Sequence, residues 1–202
     1  MTHCLIEQFL HPRDAADLLE FASTHESLFE EAKVGSGEGV SSSARVSRRL
    51  TEFDPFKEYV ERRVGQLVPS LIGRLGLTPF TPTGFETELV AHTDGAFYKR
   101  HIDLFTSPHN RNAVGGDRLI SVVAYFHRQP RRFEGGALRL YPQIDPTKPP
   151  NDCAIDLVPE HNTAVAFSSW LPHEVQPVAC RTGQFGDARF AVNCWVLRGT
   201  RV

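Results

Sequence analysis

The chain has 202 residues, 41% hydrophobic and 23% charged, with a formal net charge of -2. That length suits one domain with a sizeable core, and the near-neutral balance gives no electrostatic footprint for nucleic acid or an anionic membrane. No apolar run approaches the ~20 residues that span a bilayer, and Glu7 interrupts the apolar start from Met1 to Leu10, so no signal peptide is expected.

Taken in chain order, the first half reads as helices. Pro12 suits a first helical turn, and Ala15, Leu18, Leu19 and Ala22 follow the i, i+3, i+4, i+7 stripe of an amphipathic helix. Residues 35–44 are a Gly/Ser-rich loop, either a plain surface loop or an active-site lid. Arg45, Arg48 and Arg49 read as a solvated basic face, or as a contact for an acidic substrate. Asp54 before Pro55 predicts a helix start capped by the aspartate. Phe56, Val60, Val64, Leu67, Leu71 and Leu75 supply that helix with a buried stripe, and Pro69 is expected to kink or divide it.

From about Glu86 the texture changes to short runs rich in valine, leucine and aromatics, punctuated by Gly, Pro, Asn and Asp. The predicted strands are 86–92, 97–103, 118–127, 136–141, 153–157, 163–167, 173–178 and 188–197, at a spacing typical of a sandwich or barrel rather than βαβ units. The expected fold is mainly β with N-terminal helices: a jelly roll with helices packed on one sheet from outside. Residues 1–202 are read as one domain, with 1–85 as helical support and 86–198 as the jelly-roll core. The cysteines Cys4, Cys153, Cys180 and Cys194 form no CxxC and no disulfide framework, so reduced thiols in a cytoplasmic protein are expected.

The chemistry concentrates in His101-Ile102-Asp103 and, seventy residues after Asp103, His173. Two histidines and one carboxylate are the ligand set that holds non-heme Fe(II) on one face and leaves the other open. Residues two apart on a strand point to one side, so His101 and Asp103 can grip one ion together, with the third ligand brought from a distant strand. On the strand 189–195, Arg189, Ala191, Asn193 and Trp195 share one face, and the wholly apolar Phe190, Val192 and Cys194 share the other. Arg189 therefore points into the roll, where it needs an anion: a ligand carboxylate, or a nearby Asp or Glu. Tyr125 could offer its hydroxyl to the same carboxylate, or bond to backbone.

Tyr98-Lys-Arg-His101-Ile-Asp103, Ser121-Val-Val-Ala-Tyr125-Phe-His127, Phe133-Glu-Gly-Gly-Ala-Leu-Arg-Leu140, Phe167-Ser-Ser-Trp-Leu-Pro-His173-Glu-Val-Gln-Pro-Val178 and Arg189 with Trp195 occur in this order. The series resembles the prolyl-4-hydroxylase-like branch of the Fe(II)/2-oxoglutarate-dependent dioxygenases across roughly residues 86–197. The resemblance implies that His101, Asp103 and His173 are iron ligands, that Arg189 binds the distal carboxylate of 2-oxoglutarate with Tyr125 as its hydroxyl partner, and that Gly135 and Gly136 are structural. It implies O2 as the other cosubstrate, ascorbate as reductant, release of succinate and CO2, and hydroxylation of an unactivated C–H bond in an amino acid, a peptidyl (prolyl) residue or a small metabolite. Two departures stand out. The family's arginine usually lies nearer the distal histidine than Arg189 does, which makes Arg181 the rival anchor; 182–187 then reads as an inserted turn before Arg189. His127 replaces the usual strand end and is read as solvent-facing, not as a fourth ligand.

His92, Asp94 and Trp195 are candidate substrate contacts, with a solvated turn at Thr93-Asp94-Gly95 as the plainer reading of the first two. Loops 104–117 and 142–152 are where substrate choice is expected. Two other classes remain beside the oxygenase, a non-catalytic jelly-roll binding module and a zinc hydrolase with Glu174 as base, as does an oxygenase whose outcome is not hydroxylation. Adjacent strand residues face opposite ways, which turns Glu174 away from the ion.

Overall fold

A computed structural model describes residues 1–32, 43–104, 116–142 and 153–199. Apart from their ends, the loops 35–44, 104–117 and 142–152 lie outside the described residues, and so does His109. With strands numbered in chain order, a seven-stranded antiparallel sheet runs β1 (His3–Ile6), β11 (Thr163–Ser168), β7 (Gly116–Phe126), β14 (Arg189–Gly199), β5 (Gly84–His92), β4 (Arg48–Leu50) and β2 (Glu30–Glu31). A five-stranded sheet faces it, in the order β10 (Ile155–Leu157), β9 (Leu138–Leu140), β12 (His173–Val175), β6 (Phe97–His101) and β3 (Arg45–Val46). A separate two-stranded ribbon pairs β8 (Glu134–Gly135) with β13 (Val178–Ala179).

The alternation along β14 decides the layers. Phe190, Val192, Cys194 and Val196 face outward into a core shared with Leu89 and Ala91 of β5 and Ile120, Val122, Ala124 and Phe126 of β7. Two helices close that core, α1 (Pro12–Thr24) through Ala15, Leu18 and Ala22 and α2 (Phe56–Leu75) through Val60, Val64, Val68 and Leu71. A second core fills the space between the sheets, with Val123, Tyr125, Leu138, Leu140, Val165, Phe167, Leu171 and Ala191. The fold is therefore mainly β, a jelly roll with its helices on the outside of the larger sheet. Among the described residues no helix is long and apolar enough to cross a membrane.

All eight predicted strand regions carry strand, and the structure adds to them. The region read as helical support also contributes β1 to β4, segments of two to four residues that are too short to show a period of two. Asp54 is not the cap of α2. Pro55 occupies that position and no side chain caps the helix. Pro69 does not divide α2; it faces solvent, where water can meet the carbonyl deprived of its N–H partner. His127 is buried rather than solvent-facing, with its Nε2 3.1 Å from the Pro159 carbonyl and its Nδ1 3.0 Å from that of Arg128. The chain after β7 folds back over it, which strand periodicity does not reveal. The arginine cluster is likewise not a solvated face. Arg45 is buried, pairs with Glu88 at 3.1 Å and lies over the Tyr98 ring, while Arg48 pairs with Glu26 at 2.7 Å and Arg49 with Glu30 at 3.2 Å. Pairing of β3 and β4 with the two sheets puts these side chains between elements.

Candidate active site

His101 and His173 are direct cross-strand partners on β6 and β12, with ring centroids 4.2 Å apart. Each ring is oriented the same way. His101 Nδ1 lies 2.8 Å from the Lys99 carbonyl and His173 Nδ1 lies 2.9 Å from the Leu171 carbonyl. A carbonyl only accepts, so each Nδ1 carries the proton and each Nε2 turns its lone pair to the interior. The stacked Tyr98 ring, 3.5 Å from His101, and the edge of Phe167, 4.7 Å from His173, hold the imidazoles in place.

Asp103 joins them by a route other than the strand pleat. β6 ends at His101, and the Asp103 and Leu104 N–H groups both donate to the Ser169 carbonyl, at 2.8 and 3.1 Å. The carboxylate then sits 3.6 Å from His101 Nε2 and 3.5 Å from His173 Nε2, and ligand atoms of all three residues lie within 4.8 Å of one another. Burial opposes the Asp103 charge, but His173, His101 and the Ser121 hydroxyl outweigh it and hold the carboxyl well below the usual carboxylate range. Burial lowers the pKa of His173, with Asp103 opposing. An ionised carboxylate beside a neutral imidazole is the protonation state that a divalent cation requires.

Two serines missing from the sequence reading support this arrangement. Ser121 Oγ, from the inner face of β7, donates to Asp103 Oδ2 at 2.6 Å and lies 2.9 Å from Ser169 Oγ. Ser169 thus ties the chain that leads into His173 to the turn that carries Asp103. Ser121 shares strand parity with Tyr125, which was the available signal. Ser121→Ala is expected to lower divalent metal affinity by roughly 10- to 100-fold without unfolding the chain, measured by calorimetric titration with Mn(II). An unchanged affinity would show that Ser121 does not position Asp103.

Deeper between the sheets, Arg189 is 1% exposed. Its Nε donates to the Gly136 carbonyl at 2.7 Å, Nη1 lies 3.2 Å from His92 Nδ1, and the guanidinium stands over the Tyr125 ring at 4.9 Å. Among the described residues no Asp or Glu answers its charge there. Arg189 Nη2, the Tyr125 hydroxyl and His92 Nε2 are buried and no partner among those residues meets them at hydrogen-bond geometry, although the guanidinium is near enough to the phenol for each to favour the other's charged form. Burial pushes the Tyr125 phenol up to about 12 against the pull of Arg189, so it is a neutral O–H at ordinary pH. Such a cradle of donors fits a carboxylate. Arg181, the rival, has an 82% exposed side chain and lies 3.7 Å from Glu134 at the surface.

Gly135 and Gly136 both have positive φ, +71° and +67°. A Cβ on Gly136 would lie 2.7 Å from Arg189 Cδ and 2.9 Å from Val178 Cγ2. Gly136→Ala should therefore cost about 1–3 kcal/mol of stability, read by urea unfolding, and should displace the arginine. A loss below ~0.5 kcal/mol would mean that the turn gives way freely.

The remaining candidates fall elsewhere. Asp94 is exposed, and its carboxylate accepts from the Cys180 N–H at 2.8 Å, which ties down the predicted turn. Trp195 is on the inner face and is covered by Arg118 at 3.8 Å, with Arg118 paired to Glu86 at 2.8 Å. His92 is 4% exposed beside Arg189 rather than in a solvated turn. Glu174 turns outward to Arg139, 3.8 Å away, and bonds Gln176.

A facial pair of histidines with one carboxylate, set between the sheets of a jelly roll, is the arrangement of a non-heme metal oxygenase. Residues 87–197 match the model of the 2OG-Fe(II) oxygenase superfamily. A curated relative, an uncharacterized PKHD-type hydroxylase of Synechocystis sp., is 33% identical over 145 residues, 69% of this chain; the chain spans 45% of that relative's length. Two solved structures share the fold at 22% identity. A Pseudomonas putida prolyl-4-hydroxylase gives a TM-score of 0.68 over 99% of this chain and 94% of its own. A Trichoplax adhaerens prolyl hydroxylase, solved with a hypoxia inducible factor peptide, gives 0.67 over 98% and 84%. The chain belongs to the 2OG-Fe(II) oxygenase superfamily and shares its fold with the two prolyl hydroxylases.

Proposed function

We propose that His101, Asp103 and His173 hold Fe(II), that Arg189 and Tyr125 hold the distal carboxylate of 2-oxoglutarate, and that the reaction hydroxylates an unactivated C–H bond with release of succinate and CO2. The observation that carries this reading is a buried arginine with no acidic partner among the described residues, in the same inter-sheet space as the metal-binding triad. Bound iron with 2-oxoglutarate and O2 supplies the oxidising power, which the redox-inert zinc ion lacks.

The chain's own contribution is position and shelter. The two Nδ1–carbonyl bonds aim both Nε2 lone pairs at one point, and Ser121 and Ser169 fix the carboxylate beside them. Val123, Leu138, Leu140, Val165, Phe167 and Leu171 pack the space between the sheets and keep water from the reactive side. Arg189 and Tyr125 distinguish a dicarboxylic keto acid from a monocarboxylic one, because only the former answers the buried charge. No side chain is required as general acid or base.

The proposed substrate is a peptidyl residue, prolyl first among them because the structural neighbours are prolyl hydroxylases, or else an amino acid or small metabolite. An oxidation other than hydroxylation is the second reading, supported by the epimerase of nogalamycin biosynthesis, which has this fold at a TM-score of 0.61. We propose further that residues 1–202 act as one dioxygenase domain and that ascorbate maintains the iron. Succinate should form when 2-oxoglutarate, Fe(II) and ascorbate are supplied, and should cease with EDTA or Zn(II). Incubation with cell extract should add the mass of one oxygen atom to the substrate. No succinate under any of these conditions would overturn the oxygenase reading.

A further inference from the structure

We infer that His92 is a third donor to the carboxylate held by Arg189 and Tyr125, its Nδ1 serving the arginine and its Nε2–H serving the ligand. This rests on the 2-oxoglutarate reading above and extends it to a residue which that reading leaves out.

The tautomer follows from the partners. A guanidinium has N–H groups and no acceptor, so the 3.2 Å contact from Arg189 Nη1 makes His92 Nδ1 the acceptor. A neutral imidazole must then carry its proton on Nε2. Neutrality is imposed by the surroundings. Burial, then the charges of Arg189 and Arg45, push the His92 pKa well below its ordinary value, with the Arg189 backbone carbonyl opposing them weakly. The result is a buried Nε2–H that no acceptor among the described residues meets at hydrogen-bond geometry, a group that proteins rarely leave unmet.

Its location is the second argument. His92 is directly opposite Arg189 in the β5–β14 register, and Tyr125 lies on β7, the other neighbour of β14, opposite Ala191. Among the described residues six buried side-chain polar atoms lack a partner, and three of them belong to these neighbouring residues: His92 Nε2, Arg189 Nη2 and the Tyr125 hydroxyl. A carboxylate has enough lone pairs to accept from all three. A neutral third donor also adds no positive charge beside Arg189, which a lysine or a protonated histidine would do.

The test is calorimetric titration of 2-oxoglutarate into Mn(II)-loaded protein, in which no turnover occurs. His92→Ala and His92→Phe, the latter keeping the ring volume without its nitrogens, should each weaken binding by about 10- to 100-fold, the loss expected for one hydrogen bond to a charged group. His92→Gln, whose amide offers both an acceptor and a donor, should recover most of it. The His92→Phe effect should persist in an Arg189→Lys background, where no Nη1 remains for the histidine to orient. Mn(II) affinity should be unchanged throughout, which reports an intact fold. Equal 2-oxoglutarate affinity in wild type and His92→Phe, or an effect that vanishes in Arg189→Lys, would overturn the inference. Absence of 2-oxoglutarate binding by the wild type would instead overturn the cosubstrate reading on which it rests.

Discussion

Alanine at His101, Asp103 or His173 is expected to abolish 2-oxoglutarate-dependent succinate release while the chain stays folded. Three protein ligands are the minimum that keeps the ion while leaving positions for cosubstrate and O2, so loss of one leaves a two-point site with little hold on Fe(II). The stability costs should differ, because the three side chains differ in what they pack against. His173 is 4% exposed and meets the edge of Phe167, so its truncation opens a small cavity and should cost about 1–3 kcal/mol. His101 is more open and lies between Tyr98 and His173, which suggests a loss nearer ~1 kcal/mol. Asp103→Ala removes a carboxylate that His173, His101 and Ser121 stabilise in the metal-free protein, so it should also cost about 1–3 kcal/mol although Ser121 keeps Ser169 as a partner. Mn(II) titration, thermal melts and succinate release separate these outcomes. One alanine variant with near wild-type turnover would disprove the triad.

The second large effect concerns the cosubstrate. Arg189→Ala should raise the apparent constant for 2-oxoglutarate with metal affinity intact, by the loss of a charge-assisted pair in a water-poor pocket, about 2–4 kcal/mol. At ~1.4 kcal/mol per decade that is roughly 30- to 1000-fold. Arg189→Lys should recover only part, because an ammonium cannot reproduce a fork whose Nε already serves the Gly136 carbonyl. Arg181→Ala should change the constant by less than about three-fold, since that side chain is in solvent beside Glu134 and exposed pairs are worth little. The reverse ranking would make Arg181 the anchor.

Much of this was legible in local pattern, because side-chain direction along one strand or helix is a property of its own backbone. The odd and even positions of 189–195 separate an inward arginine and tryptophan from an apolar outer face, and the structure has that separation. The resemblance of the strand from Arg189 to Trp195 favoured Arg189 over Arg181, and the helical stripes of α1 and α2 are buried much as their spacing predicts. Strand register and the course of the chain beyond a strand end have no such local signal. They are settled by packing and by where distant segments meet. Thus His101 faces His173 across two strands, and Asp103 reaches them through the Ser169 carbonyl and Ser121 rather than by the pleat that the H-x-D spacing suggests. The same holds for His92, expected at a substrate contact or a solvated turn and found beside Arg189, and for Arg45, expected in water and found paired with Glu88. The sequence alone determined which residue types could bind a metal and a carboxylate. Tertiary structure decided their partners, because a buried polar group is defined by what the rest of the fold brings within hydrogen-bonding distance of it.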